Sequence, residues 1–407
     1  MDLDMELGDY PKQFAYEDLQ LLTDNFDVRN VIGRTQFCKV YRGKIPQGWN
    51  EMQEQDVTVK IWADTVKMKG EVIHKPAVAH NVFRFLDEIT FLTYPSISGH
   101  PNLAKLMGYL HDEDHFGVVY DLKLLDTVSN FIAEGIVCFP SVVFLELKAK
   151  LIIGYACCYC RRVITLLFFP LTIHTFSGTF TWMDRIKLIF QLARLLESLH
   201  GQTPQYLVRN FSAAHIMVDQ DLNPVLFEFG MLTGGMIGMK DRASVSMKLS
   251  DAVAAWPPSL NGHPRFKELE LHNFSGARIF FVGIWTDRTD VFIFGVVLLE
   301  LLCKCAVDGI GCRENSTVPN FLYGVAQDIY DTVKSGCFYE QSRILSLVHR
   351  SFRTEAGYDT DDGLKLAKLA MKCVQMDDER PSMGEVVEHL KTLHAIRNYA
   401  ELLLLGP

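Results

Sequence analysis

The chain has 407 residues, of which 48% are apolar, so it is long enough to bury more than one compact core. Its formal charge of -9 argues against nucleic-acid binding, because proteins that contact phosphate backbones usually present a net basic face. The acidic start MDLDMELGDY does not have the pattern of a secretory signal, so a cytoplasmic protein with reduced thiols is expected. The cysteine clusters CCYC and CKC lack a second pair at zinc-site spacing, which favours ordinary thiols over a metal site.

The first part of the chain has the pattern of a strand-rich unit. FAYEDLQLLTDNF predicts a short amphipathic helix, VIGRTQFCKVYRGKI a hairpin, and FGVVYDL a strand. DVTVKIW is a β-branched strand that contains Lys60. A helix is predicted across NVFRFLDEITFL because four apolar side chains share one face: Val82, Phe85, Leu86 and Ile89. Glu88 then lies at the edge of that face, able to reach a neighbouring strand.

The chain changes character from Thr181 onward. TWMDRIKLIFQLARLLESLH predicts a long amphipathic helix. Further helices are predicted at DVFIFGVVLLELLCK, DDGLKLAKLAMKCV and MGEVVEHLKTLHAI. A strand-rich half followed by a helix-rich half predicts an α+β protein with two lobes.

A dense apolar block, residues 135–180, separates the two halves. A spanning helix needs about 20 mostly apolar residues, and charges and Pro170 break this block into shorter runs. An irregular insertion is therefore favoured over membrane contact. A retained intron is the third alternative, in which case the block would be missing from the mature protein.

Five stretches occur in order over about residues 14–396, apart from the block: FAYEDLQLLTDNF, VTVKIW, HPNLAKLMGY, TDVFIFGVVLLELL and CVQMDDERPSM. Together they resemble the plant receptor-like and receptor-like cytoplasmic serine/threonine protein kinases. The resemblance implies a bilobal protein-kinase fold, with a small β-rich lobe and a larger helical lobe. It also implies ATP and Mg²⁺ as ligands, so the residues at the nucleotide and metal positions decide whether they can bind.

The resemblance assigns Lys60 and Glu88 to the ion pair that positions nucleotide phosphates, against the alternative of a surface lysine and a solvated glutamate. In IGRTQFCKVY only Gly33 remains of three loop glycines, since Thr35 and Cys38 replace the others. A Cβ at those positions restricts the backbone and pushes the loop away from phosphates. Apolar walls and backbone groups for adenine are expected from Ile32, Val40 and the hinge run Tyr120, Asp121 and Leu122. ATP binding is therefore expected to be weak.

The stretch YLVRNFSAAHIMVDQDLNPVLFEFGM aligns with the catalytic loop and metal-binding turn of that family. Asn210, after Arg209, stands at the position of the catalytic aspartate, and an amide cannot accept the substrate proton. Ser212 stands where the family usually has a phosphate-contacting lysine. Two metal positions are changed as well: His215 replaces an asparagine, and Glu228 replaces an aspartate. Since imidazole is a poor ligand for Mg²⁺ and Glu228 is longer by one methylene, Mg²⁺ binding is also expected to be weak.

Two further positions are structural in the family. Asp290 matches the helix aspartate that braces the backbone of the catalytic loop. Arg380 normally pairs with a glutamate at an Ala-Pro-Glu-like end of the activation segment, which is missing here. Glu268 or Glu270 are candidates to replace that glutamate, because a buried arginine without a carboxylate is costly.

These substitutions predict an inactive or very weak enzyme, a pseudokinase. Degenerate relatives look like adaptors that bridge an active receptor-like cytoplasmic kinase to a plant immune receptor, at the inner face of the plasma membrane. The alternative is a slow, atypical serine/threonine kinase that uses Lys60 and Glu228. The expected division of the chain is a lead-in 1–30, small lobe 31–120, hinge 121–134, insertion 135–180, large lobe 181–396 and tail 397–407.

Overall fold

A computed structural model describes most of the two predicted halves and little between them. The described residues are 11–34, 38–49, 52–62, 67–68, 71–72, 85–86, 88–112, 115–134, 180–203, 205–208, 212–213, 216–226, 232–234, 245–246, 267–268, 280–282, 287–304, 320–335, 340–375 and 379–399. The apolar block lies outside them except for Phe180. Among these residues, no helix is both long enough and apolar enough to cross a membrane.

The first half is built on a sheet of six strands: β1 (Lys12–Gln13), β2 (Val31–Arg34), β3 (Cys38–Ile45), β4 (Gln55–Trp62), β7 (Leu106–His111) and β8 (Phe116–Tyr120). Their order in the sheet is β1-β7-β8-β4-β3-β2. Two short strands, β5 (Lys67–Met68) and β6 (Glu71–Val72), pair with each other. The predicted hairpin is confirmed, because β2 and β3 pair in antiparallel fashion, and the DVTVKIW strand is β4.

The two faces of this sheet belong to two different cores. On β4, Val57 and Val59 face a small cluster beneath the lead-in segment. Trp62, two positions on from Lys60, packs into the main core that continues into the second half. This alternation follows from the period of two along a strand. It places Lys60 on the face of the sheet that looks toward the second half.

The lead-in segment is attached to the edge of the sheet. Its helix α1 (Tyr16–Leu22) covers the outer face, and its strand β1 pairs in parallel with β7. The Phe14 ring stacks on Trp49, with ring centroids 5.7 Å apart. Gly108 permits the close approach, because a Cβ there would lie 2.2 Å from the carbonyl oxygen of Lys12. The lead-in therefore caps an edge strand that would otherwise expose unpaired backbone groups.

The helix predicted across NVFRFLDEITFL presents a different face to the core. Phe85 is buried, as expected, but Leu86 is 47% exposed and Glu88 is fully buried. The inward face of helical residues 88–93 instead carries Glu88, Phe91 and Leu92. The prediction for Leu86 was wrong because apolar periodicity assumes that charged residues face water, whereas Glu88 faces a buried lysine. Val82 lies outside the described residues.

Short strands connect the sheet to the helical half. Strand β9 (Leu124–Thr127) follows the hinge and joins β11 (Ile216–Asp219) and β12 (Pro224–Leu226) in one sheet. The Asn102 side chain in the first half donates to the carbonyl oxygen of Pro224, at 2.9 Å. The remaining short strands are β10 (Tyr206–Val208), β13 (Leu232–Gly234), β14 (Val245–Ser246), β15 (Lys267–Glu268) and β16 (Phe280–Val282).

The second half is helical, which confirms the predicted α+β class. Its helices, with the one before the apolar block, are α2 (Val128–Glu134), α3 (Trp182–His200), α4 (Asp287–Cys303), α5 (Asn320–Lys334), α6 (Glu340–Ile344), α7 (Thr360–Cys373), α8 (Met383–Lys391) and α9 (His394–Tyr399). A capping box starts α3, because Thr181 and Asp184 bond each other's backbone N–H groups. MGEVVEHLKTLHAI forms two helices, α8 and the start of α9, which are separated at Thr392 and Leu393.

We predict that Gly108→Ala detaches the lead-in segment from the sheet. The new Cβ would meet the Lys12 carbonyl at 2.2 Å and the Phe14 ring at 2.4 Å, so β1 must move, at a cost of about 1–3 kcal/mol. Hydrogen exchange of residues 11–22 should accelerate. Gly384→Ala is the matched control, because its nearest neighbour would be Glu197 Oε1 at 3.4 Å. Unchanged exchange in Gly108→Ala would show that β1 is not held by β7.

Candidate functional site

The centre of the site is a buried ion pair. Strand β4 lies between β3 and β8, with Lys60 opposite Val40 on one side and Val118 on the other. The Lys60 and Glu88 side chains are both 0% exposed, and Lys60 Nζ lies 2.5 Å from Glu88 Oε2. This burial rules out the alternative of a surface lysine and a solvated glutamate. Nucleotide binding by the pair stays a prediction.

Tyr120 holds the second oxygen of the same carboxylate. It ends β8, is fully buried, and donates its hydroxyl hydrogen to Glu88 Oε1. From the sequence, Tyr120 was predicted only as part of the hinge run that lines the adenine site, and the role of its hydroxyl group was not predicted. The available signal was a tyrosine at the end of the apolar strand FGVVY, because a buried phenol needs a hydrogen-bond partner.

Trp62 is the other close neighbour of the lysine. Lys60 Nζ lies 4.6 Å from the centre of a Trp62 ring, within the range of a cation–π contact. The same side chain packs edge-on against Phe85, with ring centroids 5.9 Å apart. Trp62 Nε1 is buried, and the described part of the chain offers it no hydrogen-bond acceptor. Lys60 is therefore enclosed by protein atoms on more than one side.

The two side chains predicted to form the adenine walls are buried, and adenine binding by them stays a prediction. Ile32 is 7% exposed and Val40 is 0% exposed, and both belong to the main core. In the hinge, the N–H of Leu122 donates to the Tyr120 carbonyl oxygen, and the Leu122 carbonyl accepts from the Thr58 hydroxyl. The N–H of Leu122 is thus already used within the protein. The Leu122 side chain packs against the core, so an adenine ring would contact that side chain and not the Leu122 N–H.

Asp126, next to Thr127 on β9, is a partly buried titratable group. Burial raises the pKa of the Asp126 carboxyl, while hydrogen bonds from Asn130 and from the Thr127 N–H act in the opposite direction. These two bonds are 2.6 Å and 2.7 Å long. Both donors lie within four residues of Asp126, so the carboxylate stabilises the local turn that follows the hinge.

Asp290 organises the strand that leads into the predicted catalytic loop. It lies in α4 and is fully buried, and its Oδ2 accepts from the Val208 N–H at 2.7 Å. The same oxygen lies 3.0 Å from His200 Nε2, at the end of α3. Strand β10, which ends at Val208, is thereby fixed to two helices. This is the kind of backbone contact that the resemblance implied for Asp290.

The residues of the predicted catalytic loop and metal-binding turn are only partly described. Ser212 is described and half-buried, whereas Arg209, Asn210, His215 and Glu228 lie outside the described residues. Predictions for their positions therefore remain predictions from the sequence.

One group of carboxylates elsewhere in the described residues has metal-like spacing: Asp359, Asp361 and Asp362. Asp359 caps α7 through the N–H groups of Asp361 and Asp362. Asp362 accepts from the N–H groups of His394 and Ala395. These hydrogen bonds join the starts of α7 and α9, so they account for the cluster structurally.

Arg380 is buried and bonded to backbone carbonyl groups. Its Nε donates to the Gln375 carbonyl at 2.6 Å, and one terminal nitrogen donates to the Arg288 carbonyl at 3.0 Å. The guanidinium also lies 4.9 Å from the centre of the Phe292 ring. The side chains of the candidate partners Glu268 and Glu270 lie outside the described residues.

Sequence comparisons show which known proteins the chain resembles. A family model for protein tyrosine and serine/threonine kinases matches residues 26–258. The chain is similar to the probable serine/threonine-protein kinase PBL11 of Arabidopsis thaliana, with 25% identity over 94% of this chain and 77% of the relative. It is 24% identical to the probable serine/threonine-protein kinase PBL17 of Arabidopsis thaliana, over 93% of this chain and 66% of the relative. It is also 24% identical to an EPD1-interacting receptor-like cytoplasmic serine/threonine-protein kinase of Nicotiana benthamiana, over 93% of this chain and 63% of that relative.

We predict that Glu88→Gln destabilises the protein by about 3–5 kcal/mol, because it leaves a buried ammonium without its counter-charge. Tyr120→Phe should cost only about 1–3 kcal/mol, since one hydrogen bond is lost. The double variant Lys60→Met, Glu88→Leu should recover much of the loss, because no charge is then buried. Urea unfolding measures all three.

Glu388→Gln is the matched control, because it breaks an exposed pair in which Lys391 Nζ lies 2.7 Å from Glu388 Oε1. Its expected cost is about 0–1 kcal/mol. If Glu88→Gln were no more damaging than this control, the buried pair would not anchor the small lobe.

Proposed function

We propose that this chain, which belongs to the protein tyrosine and serine/threonine kinase family, is a catalytically impaired member, a pseudokinase. Its proposed role is that of a signalling adaptor. The observation that carries the proposal is a contrast between two sets of residues. The residues that hold the fold together, such as Lys60, Glu88 and Asp290, are present and bonded. The residues at the positions that carry out phosphoryl transfer differ from those of the kinase family.

The changes affect three separate requirements of phosphoryl transfer. Asn210 can orient a substrate hydroxyl by hydrogen bonding but cannot accept its proton. Ser212 carries no positive charge to meet the transferring phosphate. His215 offers nitrogen to an ion that prefers oxygen, and Glu228 displaces a carboxylate by one methylene.

These losses act on one reaction, so they are not independent. Each of them alone can cost tenfold to a thousandfold in rate, by order of magnitude, and together they remove base, cation and metal geometry. ATP and Mg²⁺ are the groups that the kinase family generally uses, and when bound they supply the phosphoryl group and its charge neutralisation. Ile32, Val40 and Lys60 would contact the nucleotide, and Glu228 would be the remaining carboxylate ligand.

The proposed partners are proteins. The chain is homologous to plant receptor-like cytoplasmic kinases, and one relative is named for its interaction with EPD1. We infer a cytoplasmic adaptor that links an active kinase of this kind to an immune receptor, at the inner face of the plasma membrane. The matches cover 63–77% of the length of these three relatives. The competing function is a slow serine/threonine kinase, which the intact ion pair of Lys60 and Glu88 favours.

The proposed division of the chain follows the two halves of the fold. The small lobe covers 31–120, the hinge 121–134 and the large lobe 181–396, with a lead-in before residue 31 and a tail after residue 396. We propose that 135–180 is an excursion from the hinge side. The residues that flank it support this, because the rings of Phe131 and Phe180 have centroids only 5.3 Å apart. The chain therefore leaves and returns at nearly the same place.

Radiolabelled autophosphorylation should give the same signal for the natural protein and for Lys60→Met. The variant Asn210→Asp should also remain at this level, because Ser212 and His215 still leave the phosphate and the metal unsupported. An active kinase from the same preparation protocol serves as the positive control. Activity in the natural protein that disappears in Lys60→Met, while circular dichroism shows that this variant is still folded, would establish the slow kinase instead.

Deleting residues 135–177 should leave the fold intact and improve solubility. Loop length contributes little to closure entropy, and an exposed apolar segment promotes association. Melting temperature and sedimentation velocity measure the two effects. A deletion variant that fails to fold would place the block in the core.

A further inference from the structure

The opposing walls of the cleft between the two halves come into contact. The upper wall is the β2–β3 hairpin, where Gly33 lies opposite Val40. The lower wall is formed by β9 and β11, where Thr127 lies opposite Met217. A Cβ built on Gly33 would lie 3.2 Å from Met217 Cε and 3.6 Å from Thr127 Cγ2. Because a carbon–carbon bond adds only about 1.5 Å, the Gly33 Cα is within roughly 5 Å of the Met217 methyl group.

This separation is too small for a planar ring. Carbon atoms in contact are about 3.5–4.0 Å apart, so a ring between two walls needs roughly 7 Å from one wall to the other. The burial of the walls agrees, since Val40 and Met217 are both 0% exposed. They belong to one continuous apolar core. At Gly33, the gap between the two walls is therefore too narrow for an adenine ring.

The far end of the cleft is filled in the same way. Cys38, at a position where the resemblance implies glycine, lies directly across from Trp62, two cross-strand pairs along from Val40 and Lys60. Cys38 is 1% exposed and Trp62 is 2% exposed. Both side chains lie on the face of the sheet that carries Lys60, and the Trp62 ring contacts the ammonium group. The side of Lys60 toward Trp62 is therefore closed by apolar atoms.

We propose that Met217 determines ligand specificity by closing the adenine slot against Gly33, so that adenine nucleotides compete with the protein's own packing. This inference rests on the proposed function only in taking the cleft to be the nucleotide cleft of a kinase-like domain. Met217 is suited to the role because an unbranched thioether side chain fills irregular gaps and can move aside. Binding then requires the open form of the slot, and the apparent affinity falls by the fraction of molecules that are open.

Shortening Met217 tests the inference through ligand binding and not through catalysis. Adenosine is the probe, because it needs the slot but neither Mg²⁺ nor phosphate contacts. In Met217→Ala, the affinity for adenosine measured by calorimetry should rise by about tenfold or more, because a larger fraction of the molecules then has an open slot. Met371→Ala is the matched control, since Met371 is 2% exposed and lies in α7 within the same core. That variant should lose similar stability and gain no affinity.

The outcomes separate this inference from the proposed function. Tight adenosine binding by the natural protein, or a folded Met217→Ala with unchanged affinity, would overturn the closed slot while leaving the catalytic defect untouched. If Met217→Ala does not fold, Met217→Val decides in its place, because valine suits a strand and still lacks the terminal methyl group. Kinase activity in the natural protein would overturn the proposed function, whatever adenosine does.

Discussion

Two opposite charges buried in the small lobe, on Lys60 and Glu88, are stable only together. Burying either one alone would cost several kcal/mol, so the strand that carries the lysine and the helix that carries the glutamate must stay in register. Tyr120 fixes the free oxygen of the carboxylate, and Trp62 covers the ammonium. In an active kinase such a lysine meets nucleotide phosphates. Here the same contacts also serve as a structural clamp, which holds whether or not a nucleotide is present.

The large lobe depends on a second anchor of the same kind. Asp290 accepts hydrogen bonds from the backbone of β10 and from His200, so the entrance to the catalytic loop is set by α3 and α4. Neither anchor requires a proton acceptor at Asn210 or a metal ligand at His215. The framework of the kinase fold and its chemistry are thus carried by different residues. A chain can therefore lose phosphoryl transfer and still present the surfaces that its partners would recognise.

Much of the fold could be predicted because apolar periodicity and strand composition are local signals. DVTVKIW, FGVVYDL and TWMDRIKLIFQLARLLESLH became the expected strands and helix for this reason. Apolar periodicity did not predict which face of the Glu88 helix packs against the core. Its orientation depends on Lys60, 28 residues earlier in the chain, and Leu86 is exposed as a result.

The candidate site was likewise predictable only where local sequence motifs determine it. The Lys60 and Glu88 positions followed from the motif frame, but the hydroxyl role of Tyr120 required a partner distant in sequence. The approach of Met217 to Gly33 depends on how closely the two halves come together, which no local pattern encodes.

Hydrogen exchange across β3, β4 and β11, with and without ATP and Mg²⁺, tests most directly whether internal contacts assemble the cleft. If they do, the amides of these strands are slow to exchange in the free protein, and adding nucleotide at millimolar concentration leaves their rates unchanged. Fast exchange in the free protein that slows when ATP and Mg²⁺ are added would contradict the account, because it would mean that the nucleotide, and not the chain's own side chains, holds the two lobes together.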